Sequence, residues 1–232
     1  IRSPITWVDH ATAVYAAVGV MVALFERQRT GKGQEVGGSL LGSALSYSAT
    51  FLLEEKLTGL GRTAIANRSF LNGPTDTFRA TDGWIVTQVV GQPLYDRWVR
   101  LIGEPEWATD PRFATDQLRG ENGAVLSARM ARWCAERSVS DALDALGEAG
   151  IPAGPVLSPA EAIGHPQVEA LGLLQTPPGA SNAVLRPPIE LSETPASIRR
   201  APPAIGEHRY EVLRELGFSD REVDDLRQAG AV

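Results

Sequence analysis

The sequence predicts a mixed α/β chain, and three observations carry that reading. Val14, Val18, Met21, Val22 and Phe25 recur on one helical face. Asp82-Gly83 lies between two strand-like runs in "TDTFRATDGWIVTQV", the pattern of a hairpin. Ser158 with Glu161, and Ser219 with Glu222, form Ser-x-x-Glu boxes that open helices.

Taken in order, the first helix ends in Arg27 and Arg29, which suit the negative end of its dipole, and Gly31 reads as its C′ residue. A short strand is expected at 34–36. A second helix is expected over 39–57, rich in small residues (Ser39, Gly42, Ser43, Ala44) that permit close approach. The hairpin follows, then helices over 92–102 and 123–136. "SVSDALDALGEAGIPAGPV" reads as a helix stopped at Gly150 and an extended segment. Pro159 takes the first helical position of the next helix. Residues 176–203 hold 7 prolines in 28 residues, which excludes helix and central strand there. Val184, Leu185, Ile189 and Leu191 make this an ordered, extended connector. Two short helices close the chain, the first ending at Gly217.

The 232 residues suffice for one large domain or two small ones, and 43% hydrophobic content can bury a sizeable core. A net charge of −6 argues against a broad nucleic-acid or anionic-membrane surface, while leaving room for a local basic pocket. One cysteine, Cys134, excludes an intrachain disulfide and fits a reducing, cytoplasmic compartment. The uncharged run from Ala11 to Phe25, interrupted by Thr12, Tyr15 and Gly19, reads as too short and too polar to span a membrane. It is not a signal peptide, because its basic residues follow the run. The lack of an initiator Met, and of a strand before the first helix, suggests part of a longer protein.

Asp9 stands at the entrance of the first helix. It suits an N-cap, whose side-chain oxygen accepts from a free backbone N–H. Capping is the usual job of such an Asp; the same spot also suits a nucleophilic carboxylate, since a helix N-terminus stabilises its charge and a neighbouring oxyanion. "TGKGQ" fails as a phosphate loop: Lys32 precedes Gly33 rather than Ser or Thr, and Glu26 occupies the first glycine position. Cys134 reads as a small buried hydrophobe. His10, His165 and His208 lack ligand spacing, so no metal site is expected. Trp7, Trp84, Trp98, Trp107 and Trp133 read as core residues.

Several stretches together resemble one family, the class III coenzyme A transferases, which include formyl-CoA and carnitine-CoA transferases and have α-methylacyl-CoA racemase as a relative. They are Asp9 with its helix, "LFERQRTGKGQEV", the "TDG" hairpin, "DPRFAT" with Arg119, "AGIPAGPV", "HPQV" and "APPAIGEHRYEVLRELGFSDREVDDL". The resemblance implies that Asp9 is the catalytic aspartate. It also implies part of a Rossmann-like large domain plus a smaller α+β domain. Residues 1–71 would be the helical part of the large domain and 72–170 the small domain. Residues 171–232 would return to the large domain, with an N-terminal portion that contacts coenzyme A missing. Interlocked homodimers are implied too, with an acyl-CoA thioester and a carboxylic acid as substrates. The route is an aspartyl anhydride and an aspartyl-CoA thioester, with no cofactor beyond the coenzyme A substrate.

Two departures bear on the reaction. Formyl-CoA transferases cover the intermediate with a glycine-rich loop; the matching "ANRSFLNG" (66–73) keeps only Gly73. His10, by adjacency to Asp9, and Asn67 and Gly73, by this loop correspondence, are the candidate substrate-binding residues. The racemases place a Glu just after the hairpin, where this chain has Gly91 and Gln92. Coenzyme A transfer is therefore expected. The alternatives are a racemase or isomerase relative and a catalytically silent dimerisation module.

Overall fold

The computed structural model describes residues 4–232 and groups the chain into two compact units, Ile1–Pro155 and Val156–Val232. Each is described by itself.

The first unit opens with α1 (Trp7–Thr30), followed by α2 (Leu40–Tyr47) and α3 (Ala49–Thr58). The expected helix over 39–57 is thus two helices. Ser48 leaves the helical region of the backbone (φ −95°, ψ 5°) and ends α2, although its N–H still bonds the Ala44 carbonyl. The strand expected at 34–36 does not form, because no neighbouring strand pairs with this extended segment among the described residues. Val36 packs instead under Gly19, where an added Cβ would stand 2.8 Å from its methyl carbon. Gly31 ends α1 in the left-handed region (φ 73°), as its sequence position implied.

α1 and α2 meet through small and polar side chains. The Thr12 hydroxyl donates to Ser43 Oγ at 2.8 Å, and the Tyr15 and Ser46 hydroxyls lie 3.1 Å apart. The apolar face of α1 has no such cover: Val14, Val18, Met21, Val22 and Phe25 are all exposed, Phe25 at 74%. The periodicity read from the sequence holds as one face of the helix, but only Ala11 of α1 is buried. The helix runs 24 residues, and by length and composition alone it is apolar enough to cross a membrane. The uncharged run singled out in the sequence is shorter than the helix that contains it.

The rest of this unit builds the core. β1 (Thr75–Arg79) and β2 (Trp84–Gln88) form the antiparallel hairpin, with Thr77 opposite Val86 and Arg79 opposite Trp84. After α4 (Gln92–Leu101) come 3-10 turns at Pro105–Thr109 and Pro111–Phe113, then α5 (Asp116–Glu121), α6 (Gly123–Ala135) and α7 (Val139–Glu148). β3 (Ala153–Pro155) then completes an antiparallel sheet of order β1-β2-β3. β2 alternates as a half-covered strand should: Ile85, Thr87 and Val89 are buried, while Trp84, Val86 and Gln88 face outward. Tyr95, Trp98, Val99 and Ile102 supply one face from α4 and its end; Leu126, Met130, Trp133 and Cys134 supply another from α6. Burial of this aromatic and aliphatic surface, at about 25 cal/mol per Å² of apolar area, is what stabilises the unit. The Trp98 indole N–H donates to Met130 Sδ at 3.2 Å, so the buried ring is not left unpaired. Trp98 and Trp133 are core residues and Trp107 is half-buried, whereas Trp7 and Trp84 are exposed.

The second unit contains α8 (Pro159–Ile163), α9 (Pro166–Ala170), the two-stranded pair β4 (Leu174–Gln175) and β5 (Val184–Leu185), α10 (Arg209–Glu215) and α11 (Asp220–Gln228). Both Ser-x-x-Glu boxes close as read from sequence. Ser158 and Ser219 each accept from the backbone N–H of their glutamate, whose carboxylate accepts in return from the serine N–H. The proline-rich stretch carries only the two-residue β5, so no helix or central strand occurs there.

A candidate active site at the entrance of the first helix

The N-cap of α1 is Thr6, not Asp9. Asp9 is the third helical residue, exposed, and without a hydrogen-bond or ion-pair partner among the described residues. The capping reading of Asp9 is thereby corrected. Trp7 and Val8 are already helical, and the backbone N–H of His10 bonds the Thr6 carbonyl at 3.1 Å. The carboxylate still lies in the first turn, where the positive end of the helix dipole and free backbone N–H groups favour negative charge. His10, the next residue, is also exposed.

Two ring contacts connect this entrance to the loop before β1. Trp7 packs edge-on against Tyr47 at the end of α2, with centroids 6.0 Å apart. Phe51, in the first turn of α3, packs edge-on against Phe70 at 6.1 Å. Tyr47 and Phe51 flank the break at Ser48. The entrance of α1 and loop 66–73 therefore lie at the junction end of the α2–α3 pair.

The loop is held at several points. The Asn67 side-chain amide donates to Thr77 Oγ1 at 2.9 Å, which ties it to the outer face of β1. The Arg62 guanidinium lies over the Phe70 ring and donates to Glu54. Gly73 is buried, and a Cβ there would come 2.9 Å from the Arg119 carbonyl oxygen. Its lack of a side chain thus serves a close approach to α5. Ala66 has a left-handed backbone (φ 60°), an unfavourable conformation for a residue with a Cβ.

Arg119 is the most buried charged residue of this unit, at 1% exposure. Its guanidinium donates to the Phe113 carbonyl and to Asp116 Oδ1, both at 2.8 Å, and to Gln92 Oε1. It also stacks 4.0 Å from the centre of the Tyr95 ring. Asp116 accepts in turn from the Gly91 N–H at 2.9 Å. Burial raises the Tyr95 phenol above its ordinary range, against the lowering influence of Arg119. Gln92, at the place where the racemases carry an acid, is thus an amide bonded to a buried arginine. Sequence reading singled out Arg119 and Gln92 but missed Asp116, which pairs with Arg119, and Gly120, which packs against Phe70. A glycine inside a short helix was the available signal for Gly120.

No group of three or more His, Cys, Asp or Glu side chains suited to a metal ion occurs among the described residues. Cys134 is buried, and its thiol is pushed up to about 11 by desolvation, far from a reactive thiolate.

With this geometry in view, comparison with known proteins is direct. Residues 1–209 match the profile of CoA-transferase family III, and the chain belongs to that family. It is 33% identical over 227 residues to succinyl-CoA–D-citramalate CoA-transferase of Chloroflexus aurantiacus, covering 94% of this chain and 55% of that protein. It is 27% identical over 250 residues to formyl-CoA:oxalate CoA-transferase of Bradyrhizobium diazoefficiens, covering 97% and 59%. Among solved structures, a CaiB/BaiF family protein from Brucella suis superposes with a TM-score of 0.76 at 27% identity, covering 93% of this chain and 57% of that one. The fold is therefore that of the class III CoA-transferases. The chain spans somewhat more than half the length of the curated relatives it matches.

Proposed function

We propose that the protein moves coenzyme A from an acyl-CoA thioester to a carboxylic acid, with Asp9 as the nucleophile. The observation that carries this reading is the placement of Asp9: in the first turn of α1, past the N-cap position held by Thr6, exposed and, among the described residues, unpaired. A carboxylate with an accessible oxygen beside free backbone N–H groups has what acyl transfer requires.

The steps balance without a redox change. An Asp9 oxygen attacks the thioester carbonyl; the C–S bond breaks, leaving a mixed anhydride and coenzyme A thiolate. The thiolate attacks the aspartyl carbonyl of the anhydride and expels the first acid as its carboxylate, leaving an aspartyl-CoA thioester. The carboxylate of the second acid attacks that thioester and releases the thiolate. The thiolate then attacks the new acyl carbonyl, frees Asp9 and forms the product thioester. Each tetrahedral oxyanion is stabilised by backbone N–H groups rather than by a cofactor. The resemblance also supports an interlocked homodimer, a cytoplasmic location, and substrate contacts from His10, Asn67 and Gly73.

Racemisation is disfavoured by Gln92, whose carbonyl oxygen accepts from Arg119 and whose amide donates to Asp96 at 2.7 Å. A general base is wanted at that place, and an amide is not one.

The test is intact-mass analysis after incubation with a panel of acyl-CoA thioesters, with peptide mapping and Asp9→Asn as control. It uses this chain and a version carrying any residues encoded upstream. A coenzyme A-sized adduct on Asp9, absent from the variant, is expected. An adduct mapped elsewhere, or one that persists in Asp9→Asn, overturns the assignment. No adduct and no coenzyme A binding favours the silent scaffold.

A further inference from the structure

We propose that His165 is a pH-sensitive cap: protonation of its imidazole releases the first turn of α9, and the neutral ring restores it.

Local hydrogen bonding puts this turn under the control of one residue. α9 opens on Pro166, which has no backbone N–H to satisfy. The next N–H, of Gln167, donates to His165 Nδ1 at 3.1 Å. The Val168 N–H donates to the His165 carbonyl at 2.8 Å, and the Glu169 N–H reaches the same oxygen at 3.4 Å. Ring and carbonyl of His165 thus receive the N–H groups of the whole turn. A helix of five residues has little else to hold it, so its cap counts for more than in a long helix. The opposite end is anchored separately. The Leu173 N–H donates to the Val168 carbonyl at 3.1 Å, and the Arg186 N–H to the Leu173 carbonyl at 2.9 Å. The Arg186 guanidinium also reaches the Leu171 carbonyl at 3.2 Å. None of these bonds involves His165, so a change in its ring acts on the entrance of α9 alone.

Chemistry fixes the protonation state that this arrangement needs. A backbone N–H only donates, so Nδ1 presents its lone pair and the ring proton sits on Nε2. An imidazolium carries a proton on both nitrogens and accepts nothing. Protonation therefore removes the acceptor of Gln167. It also puts positive charge at the end of a helix where that sign is unfavourable. Imidazole is the side chain that makes such a change between about pH 5 and 8. The Ser158 and Ser219 hydroxyls that cap α8 and α11 do not titrate in that range.

The imidazole is exposed and has no ion pair among the described residues. Charged side chains on the elements around it are few. Glu161 of α8 accepts from the Ser158 N–H at 2.7 Å, and Arg186, which follows β5, pairs with Glu190. Glu169 lies one turn on in α9 and is exposed. Attraction to Glu169 stabilises an imidazolium without giving Gln167 back its acceptor.

Heteronuclear NMR on the full polypeptide its gene encodes tests this, with histidine and glutamine labelled with nitrogen-15. The proteins are wild type, His165→Asn and His165→Ala, each with thermal unfolding as a check of folding. At about pH 8 the wild-type His165 ring is expected to carry its proton on Nε2. On acidification to about pH 5, protection of the Gln167 amide from exchange, corrected for intrinsic pH dependence, should fall at least about threefold, with the midpoint of the His165 ring. His165→Asn, a cap that does not titrate, should keep the protection at both pH values, and His165→Ala should lack it at both. A ring proton on Nδ1 at the higher pH overturns the proposal. So does protection that is unchanged by pH in wild type, falls equally in His165→Asn, or survives in His165→Ala.

Discussion

The α-carbon of Gly120 lies against the carbonyl of Phe70, so closely that an added Cβ would stand 2.1 Å from the oxygen. Helix α5 and the loop before β1 are therefore fitted backbone to backbone. Gly120→Ala is expected to destabilise the protein by about 2 kcal/mol, as overpacking of a close contact does. Gly147 in α7 has nothing within 4 Å of its notional Cβ. Gly147→Ala should be stabilising by up to about 1 kcal/mol, through helix propensity alone. Chemical denaturation of the two variants gives opposite signs if the contact is as described.

Removing the Arg119 guanidinium strands several groups together. Arg119→Met removes the donor to Gln92 and the Phe113 carbonyl and leaves Asp116 with the Gly91 N–H alone and no cation. A loss of about 3 kcal/mol is expected, the usual size for breaking a pair with one fully buried member. Urea unfolding measures it, and a change below about 0.5 kcal/mol would mean the network is dispensable.

Acid should weaken the first unit in part through Glu104. The Arg129 guanidinium beside it, at 2.6 Å, holds its carboxyl below the ordinary value of 4.5. A carboxyl depressed in the folded state contributes stability above its unfolded pKa and loses it as pH falls through the folded value. Unfolding midpoints should therefore drop as pH is lowered below 4.5. The drop should be shallower in Arg129→Gln than in wild type.

Cys134 offers a readout of global opening. Its thiol is buried and pushed up to about 11. At pH 8, Ellman's reagent should leave the native protein unmodified and react with one thiol per chain in denaturant. Rapid reaction of the native protein would contradict the packing around α6.

What the sequence made legible was the local part. The Asp82-Gly83 hairpin, the boxes at Ser158 and Ser219 and the stops at Gly150 and Gly217 are encoded within a few residues of where they act, and they formed as read. Features that depend on a partner were less legible. The spacing of Val14, Val18 and Phe25 defines a face of α1 but not what covers it. Val36 needed a neighbouring strand and has Gly19 instead. The break at Ser48 has neither glycine nor proline to announce it. At the candidate site, Asp9 stood out through family resemblance, and its local reading as an N-cap missed a helix that begins two residues earlier, at Trp7. Asp116 and Gly120 also reach Gly91 and Phe70, which are distant in sequence, and the one local hint was a glycine inside a short helix.

Thr6 and not Asp9 holds the N-cap position of α1, and Asp9 is exposed without a partner among the described residues, so its side chain holds little of the fold together. Exchanging the aspartate for asparagine forfeits only a charge–dipole interaction of about 0.3–1 kcal/mol. On the role proposed for Asp9, one such exchange would silence the protein while leaving an intact body behind. A silent variant and its working parent would then share nearly all of their stability and sequence, and differ at a single carboxylate.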